Sequence, residues 1–92
     1  MKERRGYRVT GQVQGIGYRY FTRTRAKNLH LKGWVCNNSD GSVEIHVEGA
    51  PAKLETFEMI LKEGPDGGHV DALERIKADS GEALDEFEIR FG

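Results

Sequence analysis

The chain has 92 residues, with 14 lysines and arginines against 15 aspartates and glutamates and a net charge of −1, so its length predicts one small domain over residues 1–92. Its single cysteine, Cys36, excludes an intrachain disulfide and a zinc cluster. No apolar run is long enough for a membrane helix or a signal peptide, and we expect a cytoplasmic protein.

The charges are distributed unevenly along the chain. Residues 1–35 contain nine lysines and arginines and one acid, whereas residues 36–92 contain five and fourteen. A basic first half would attract small anions or nucleic acid. Charges that only solvate the surface explain the same pattern equally well, so the asymmetry alone does not identify a ligand.

The first third of the chain predicts a strand and then a helix. Residues 1–5 are charged and expected to be loose, and alternation over 7–13 predicts a strand in which Gly11 marks a bulge or a close backbone approach. A helix is expected from near Arg19 to near His30. Its predicted buried stripe follows Tyr18 and consists of Phe21, Arg25, Ala26 and Leu29.

Five further elements are predicted after residue 33. They are a strand over 34–36, a strand over 43–47 ended by Gly49, a helix from Pro51 to a stop at Gly64, a strand over 70–76 and a last strand over 86–91. A tight turn is predicted over 39–42 and a polar turn over 78–83. The order is β-α-β-β-α-β with an extra C-terminal strand. It predicts an α+β, ferredoxin-like sandwich in which an antiparallel sheet carries both helices on one face.

The loop from Gln14 to Tyr18, between the first strand and the first helix, is predicted to bind a phosphoryl group. Gly15 and Gly17 let successive backbone N–H groups turn inward, and the start of a helix adds partial positive charge. Arg19 follows with a planar fork for phosphate oxygens. A cation at this end of a helix is unfavourable unless an anion is bound there. A glycine turn that only connects the strand to the helix is the alternative.

Other glycine-rich phosphate loops do not fit this sequence. No Gly-Lys-Ser/Thr follows the loop, as a Walker A motif requires, and Tyr20 occupies the position of the third glycine of a dinucleotide fingerprint. Nucleotide binding is therefore not expected.

Asn37, at the end of the strand over 34–36, is a second candidate site residue. Its carboxamide could hold an attacking water by hydrogen bonds but could not take the water's proton near neutral pH. Asparagine is also common beside turns for local reasons. Asn38 and Asp40 are interpreted as turn residues, and Cys36 as a small buried residue.

No metal site or cofactor site is predicted. The three histidines, His30, His46 and His69, have no zinc-binding spacing, and each is expected at the surface.

Two long segments resemble the signatures of the acylphosphatase family. Residues 11–19 (GQVQGIGYR) are similar to the first signature, and residues 33–44 (GWVCNNSDGSVE) to the second. Residues 64–71 and 87–89 resemble the family's tail. The resemblance implies a ferredoxin-like fold and hydrolysis of the carboxyl–phosphate bond of acyl phosphates, the activity of an acylphosphate phosphohydrolase.

The resemblance also implies roles for individual residues. Arg19 becomes the catalytic phosphate-binding residue, and Asn37 becomes the catalytic residue that places the attacking water. The substrate-binding backbone consists of Gln14, Gly15, Ile16, Gly17 and Tyr18, together with Arg19. Two departures from the family pattern are Cys36, where many members have a long polar residue, and His30, where glycine is frequent.

The expected partners are a small-molecule acyl phosphate and inorganic phosphate, which is the product and a competitive inhibitor. The carboxylate leaving group has a conjugate acid with a pKa of about 4 and needs no proton donor, so no metal or cofactor is expected. We expect a monomer that binds neither membrane nor nucleic acid.

Two alternatives remain open. Residues 14–21 resemble the RNP1 pattern of RNA-recognition domains, which share this element order, and a module could keep the phosphate loop without hydrolysis.

Overall fold

The computed structural model describes residues 1–79, 81 and 84–91. The elements in chain order are β1 (Glu3–Gln12), α1 (Tyr18–Asn28), β2 (Lys32–Asn37), β3 (Val43–Gly49), α2 (Pro51–Glu63), β4 (His69–Ile76) and β5 (Phe87–Arg90). The strands form one sheet in the order β4-β1-β3-β2-β5. The ferredoxin-like α+β fold with an extra C-terminal strand is confirmed.

The direction of β5 differs from the expected all-antiparallel sheet. β1, β2, β3 and β4 pair only in antiparallel fashion, but β5 lies parallel to β2, with Gly33 opposite Phe87 and Cys36 opposite Arg90. The chain therefore reaches β5 by crossing from β4 at one edge of the sheet to the other edge. The parallel pairing sets the C-terminal ends of β2 and β5 side by side.

One face of the sheet packs against both helices around a single apolar core. Alternation along each strand places one set of side chains on this face. The aromatic rings of Phe57 and Phe87 meet edge to face with centroids 6.2 Å apart. The buried core consists of Tyr7, Val9, Val13, Tyr18, Ala26, Leu31, Val35, Val43, Ile45, Val47, Leu54, Phe57, Leu61 and Phe87.

The ends of α2 follow from two residues that the sequence pattern identified. Pro51 occupies the first turn, where its missing N–H costs no helical hydrogen bond. Gly64 ends the helix with φ 71°, and its N–H donates to the Ile60 carbonyl at 3.0 Å. The predicted bounds of this helix are confirmed.

The prediction that residues 1–5 are loose is wrong for residues 3–5, because β1 begins at Glu3. Glu3 pairs with Gly49 across the sheet, and Arg4 lies opposite Glu48. The Arg4 guanidinium and the Glu48 carboxylate form an ion pair at 2.8 Å. Because opposite charges rather than apolar residues support this part of the strand, hydrophobic alternation does not reveal it.

The buried face of α1 also differs from the predicted stripe. Its buried residues are Tyr18, Thr22 and Ala26, spaced four apart. Arg25 is exposed, and its guanidinium carbon lies 5.2 Å from the centroid of the Phe21 ring. The helix ends at Asn28, and His30 follows with φ 58°, in the left-handed region.

Gly11 marks a close backbone approach and a bulge, as predicted. The register between β1 and β4 shifts between Thr10 and Gly11. A Cβ added at Gly11 would lie 2.2 Å from the His69 carbonyl oxygen. Only a residue without a side chain allows β4 to approach β1 this closely.

His46 is buried on the helix-free face of the sheet, so its predicted surface position is wrong. The Trp34 ring stacks on it at a centroid distance of 4.5 Å. The backbone N–H of Asp79 donates to His46 Nδ1 at 2.9 Å, which leaves Nε2 as the donor to the Glu44 carboxylate at 2.7 Å. The segment after β4 therefore covers the imidazole, which no alternation pattern could indicate.

The remaining burial predictions have mixed outcomes. His30 and His69 are exposed, as predicted, whereas Cys36 is only half-buried. Residues 80, 82 and 83 of the predicted turn over 78–83 lie outside the described residues. Neither α1 nor α2 is long and apolar enough to cross a membrane.

Candidate functional site

The loop between β1 and α1 has the open, glycine-dependent backbone that the sequence predicts. Gly15 and Gly17 have φ angles of 76° and 80°. A Cβ at either position would meet no atom within 4 Å. Glycine is therefore required at both positions because the backbone there is left-handed, and not because a side chain would clash. Gly17 is also the N-cap residue of α1.

The backbone of this loop presents a row of free donors. Helical hydrogen bonding begins with the Phe21 N–H, which donates to the Gly17 carbonyl at 2.9 Å. Within the described residues, no backbone N–H from Gly15 to Arg19 donates a hydrogen bond. α1 has no side-chain cap and no acidic residue in its first turn. The loop and the helix terminus together therefore form a cradle that suits an anion.

Two side chains of the loop are engaged elsewhere. Gln14 Nε2 donates to the backbone carbonyls of Asn38 and Ser42, each at 2.9 Å. Tyr18 is buried, and its hydroxyl donates to the Leu61 carbonyl at 3.0 Å. Burial raises the pKa of Tyr18. Gln14 and Tyr18 can therefore face an anion only through their backbone N–H groups.

The turn between β2 and β3 is held rigid next to the cradle. Asp40 Oδ1 accepts hydrogen bonds from the Ser42 N–H at 2.9 Å and from its hydroxyl at 2.6 Å, and Asp40 also pairs with Arg8. These hydrogen bonds hold the pKa of Asp40 well below its usual range. Asn38 Nδ2 donates to Ser42 Oγ at 3.0 Å. Asn38 and Asp40 are thus turn residues, as predicted.

Asn37 ends β2 immediately before this turn, and its backbone pairs with Val43. Its side-chain Oδ1 is shielded from solvent and accepts no hydrogen bond from the described residues. Leaving a buried acceptor unsatisfied costs about 1–3 kcal/mol. A water molecule or a substrate group that donates to this oxygen would remove that cost.

Arg19 is the second residue of α1 and is half-exposed. Its guanidinium carbon lies 4.9 Å from the centroid of the Phe91 ring. Burial and the Glu44 carboxylate raise the pKa of the Cys36 thiol, while the positive charges of Arg90 and Arg19 oppose that rise. The charge of Arg19 therefore reaches the C-terminal end of β2, where Asn37 lies.

The basic first half of the chain is neutralised on β1 but not on α1. Arg4, Arg5 and Arg8 each pair with an acid from the second half of the sequence. In the described part of the chain, no carboxylate lies within 4.0 Å of the cationic nitrogens of α1, those of Arg19, Arg23, Arg25 and Lys27. The open cradle is therefore adjacent to uncompensated positive charge.

The structure places the N–H groups of the loop, Arg19 and Asn37 at one end of the sheet, where Gln14 of the loop donates to the turn that follows Asn37. Each lies at the end of the sheet where β1 leads into α1 and β2 leads into its turn. The histidines lie on other elements, and the described residues contain no group of three or more histidine, cysteine or acidic side chains that could hold a metal ion. The RNP1 alternative needs an exposed Tyr18 on a strand, but Tyr18 is buried on α1.

Sequence reasoning missed two contributors to this region. It did not identify the Gln14 side chain as the link between the loop and the β2–β3 turn. It assigned Phe91 to an apolar strand face and not to the neighbourhood of Arg19. Alternation signals which face a residue occupies, but it does not identify the residue's partner on another element.

Comparison with known proteins gives a consistent result. A family profile described as Acylphosphatase matches residues 5–89. An acylphosphatase of Salinibacter ruber is 42% identical over 83 residues, which are 90% of this chain and 87% of that protein. The crystal structure of acylphosphatase from Bacillus subtilis is similar with a TM-score of 0.89 and 36% identity, and the similarity covers 98% of this chain and 99% of that chain.

A second solved structure agrees. An acylphosphatase from Coxiella burnetii has a TM-score of 0.86 and 32% identity, over 97% of this chain and 93% of that chain. The similarity therefore extends over nearly the whole length of both proteins in sequence and in fold.

Proposed function

This chain belongs to the acylphosphatase family, and we propose that it hydrolyses the carboxyl–phosphate bond of acyl phosphates to a carboxylate and inorganic phosphate. We assign phosphate binding to the backbone of residues 14–18 and to Arg19, and placement of the attacking water to Asn37. The observation that supports this assignment is the buried Oδ1 of Asn37, which has no hydrogen-bond partner among the described residues, at the same end of the sheet as the open row of loop N–H donors.

The phosphate is held by charge and by oriented donors. The loop N–H groups and the start of α1 contact its nonbridging oxygens, and Arg19 adds a permanent positive charge with donors in one plane. These groups are already oriented before substrate arrives, so they stabilise the charge on the phosphoryl oxygens during transfer without reorganisation.

The attacking water is oriented by Asn37. Oδ1 accepts one hydrogen bond from the water and directs the water oxygen toward phosphorus. A P–O bond forms to the water, and the bond between phosphorus and the carboxyl oxygen breaks. The carboxylate leaves with the bonding pair and without a proton, since its conjugate acid has a pKa of about 4. The carboxamide cannot accept the water's proton, so we assign that proton to a phosphate oxygen.

We further propose that the enzyme is a metal-independent cytoplasmic monomer. The chemistry supports metal independence, because the leaving group needs no Lewis acid and Arg19 with the loop amides supplies the positive charge. The single cysteine fits a reducing compartment.

The test is hydrolysis of a synthetic acyl phosphate in the presence of a chelator. We expect turnover, competitive inhibition by inorganic phosphate, and near-complete loss of activity in Arg19→Gln and Asn37→Ala. Arg23→Gln is the matched control, because Arg23 is also an arginine of α1 that forms no ion pair with a carboxylate of the described residues. Absence of hydrolysis by the wild type, or full activity in Arg19→Gln, would contradict the proposal.

A further inference from the structure

Phe91 is an exposed aromatic residue that the core does not explain. It follows the last strand and is 79% exposed. Its ring lies under the guanidinium of Arg19, with the guanidinium carbon 4.9 Å from the ring centroid. A phenylalanine that is not part of the core and lies against the proposed phosphate-binding residue requires a specific explanation.

The parallel pairing of β5 with β2 accounts for this placement. The pairing ends where Cys36 lies opposite Arg90, and Asn37 and Phe91 are the next residues of the two segments. Phe87 is buried, and Ile89 packs against the core on the helix side of the sheet. Phe91 contacts Arg19 of α1 and therefore lies on that same side. The strand thus ends with an aromatic ring against the start of α1, at the end of the sheet where Asn37 also lies.

We propose that Phe91 is a positioning residue that holds the guanidinium of Arg19 in the orientation needed for phosphate. The inference rests on the proposed role of Arg19. A ring under the guanidinium occupies one planar face and leaves the N–H donors, which lie in the plane, free for phosphate oxygens. It fixes the side chain without consuming the groups that bind substrate.

An aromatic ring is better suited to this task than a carboxylate. A carboxylate would hold Arg19 through the same N–H donors and would compete with the phosphate for them. It would also repel the incoming anion. A ring has no net charge, so the full positive charge of Arg19 remains available to the substrate.

The chain contains a matched contact outside the proposed site. The guanidinium carbon of Arg23 lies 5.2 Å from the centroid of the Tyr20 ring, and Tyr20 is 56% exposed. This pair has the same chemistry and its ring is also exposed, but both of its members are on α1. Removing the Tyr20 ring therefore controls for the general loss of an exposed cation–π contact.

The experiment compares Phe91→Ala, Phe91→Leu, Phe91→Tyr and Tyr20→Ala with the wild type. For each protein, kcat and KM are measured with a synthetic acyl phosphate, together with the inhibition constant for inorganic phosphate. Phe91 is exposed and follows the last strand, so its replacement should leave the unfolding transition unchanged. The leucine variant keeps apolar bulk without a π face, and the tyrosine variant keeps the ring.

We expect Phe91→Ala and Phe91→Leu to lower kcat/KM by about two- to fivefold and to weaken phosphate inhibition by a similar factor. Phe91→Tyr and Tyr20→Ala should match the wild type. Unchanged kinetics and inhibition in Phe91→Ala would overturn the proposal, and so would a leucine variant that performs as well as the tyrosine variant.

A second measurement separates this inference from the proposed function. In the Arg19→Gln background, Phe91→Ala should leave the dissociation constant for phosphate unchanged, because the side chain that the ring positions is absent. An equal loss in both backgrounds would show that the ring acts independently of Arg19. If the wild type hydrolyses no acyl phosphate, the proposed function itself is wrong. If the wild type is active and only the Phe91 variants behave differently from expectation, the role of Phe91 alone is wrong.

Discussion

Replacing Asn37 with alanine should separate activity from stability. The variant removes a buried oxygen that accepts no hydrogen bond from the described residues, so it breaks no observed contact of that atom. A buried unsatisfied acceptor costs about 1–3 kcal/mol, and a bound water recovers most of this. We therefore expect the free energy of unfolding to stay the same or to rise by up to about 1 kcal/mol.

The activity of Asn37→Ala should fall steeply. Removing one pre-positioned polar group from an active site typically reduces kcat by about 100- to 1,000-fold. Unfolding is followed by urea titration, and the comparison requires that the wild type and the variant have the same m-value. Hydrolysis is followed by the disappearance of a synthetic acyl phosphate. For a domain of this size, a gain of 1 kcal/mol would raise Tm by about 4–8 °C.

Asn38→Ala is the control, because Asn38 is the adjacent asparagine with a structural contact. It loses the hydrogen bond from Nδ2 to Ser42 Oγ and should be destabilised by about 1 kcal/mol while keeping most of its activity. The reasoning is refuted if Asn37→Ala unfolds more easily than the wild type by more than about 1 kcal/mol, or if it retains full kcat.

Three further predictions concern individual contacts. Gly33→Ala should unfold the protein or destabilise it by more than about 4 kcal/mol, because the added Cβ would lie 2.0 Å from the His46 carbonyl oxygen. Gly17→Ala should lower the free energy of unfolding by only about 1–2 kcal/mol, because no atom lies near the added Cβ. Urea titration of both variants compares the two losses. Because the pKa of Asp40 is lowered in the folded protein, its carboxylate stabilises the fold fully above the unfolded pKa of about 4, and this stabilisation is lost as pH falls further. The difference in free energy of unfolding between the wild type and Asp40→Asn should therefore shrink below that pH. A difference that stays constant with pH would contradict this prediction. Gln14→Glu should lower kcat/KM, because a carboxylate would face the two carbonyl oxygens that its amide now contacts; unchanged kinetics would show that this link is dispensable.

The sequence predicts most of this fold because its signals are local. Alternation located β3 and the last strand, and Pro51 and Gly64 bounded α2. The start of β1 depends instead on Glu48, which lies 44 residues after Arg4 in the sequence. The parallel direction of β5 likewise depends on a crossover path that no local pattern specifies.

The site is predictable to a similar extent. The glycine loop and Arg19 are adjacent in sequence, so backbone geometry and helix electrostatics point to an anion without further information. In sequence, Asn37 is indistinguishable from a turn residue; the structure shows that its Oδ1 is buried and has no partner among residues 1–79, 81 and 84–91. Phe91 contacts a residue 72 positions earlier in the chain, and alternation along β5 cannot reveal that contact.

The most direct test of the account follows the oxygen of the attacking water. Hydrolysis of a synthetic acyl phosphate is carried out in water enriched in the heavy oxygen isotope, and both products are analysed by mass spectrometry. If a water held by Asn37 attacks phosphorus bound in the loop, the heavy oxygen appears in inorganic phosphate and not in the carboxylate. Heavy oxygen in the carboxylate would mean attack at the carbonyl carbon and would contradict the proposed arrangement of the site.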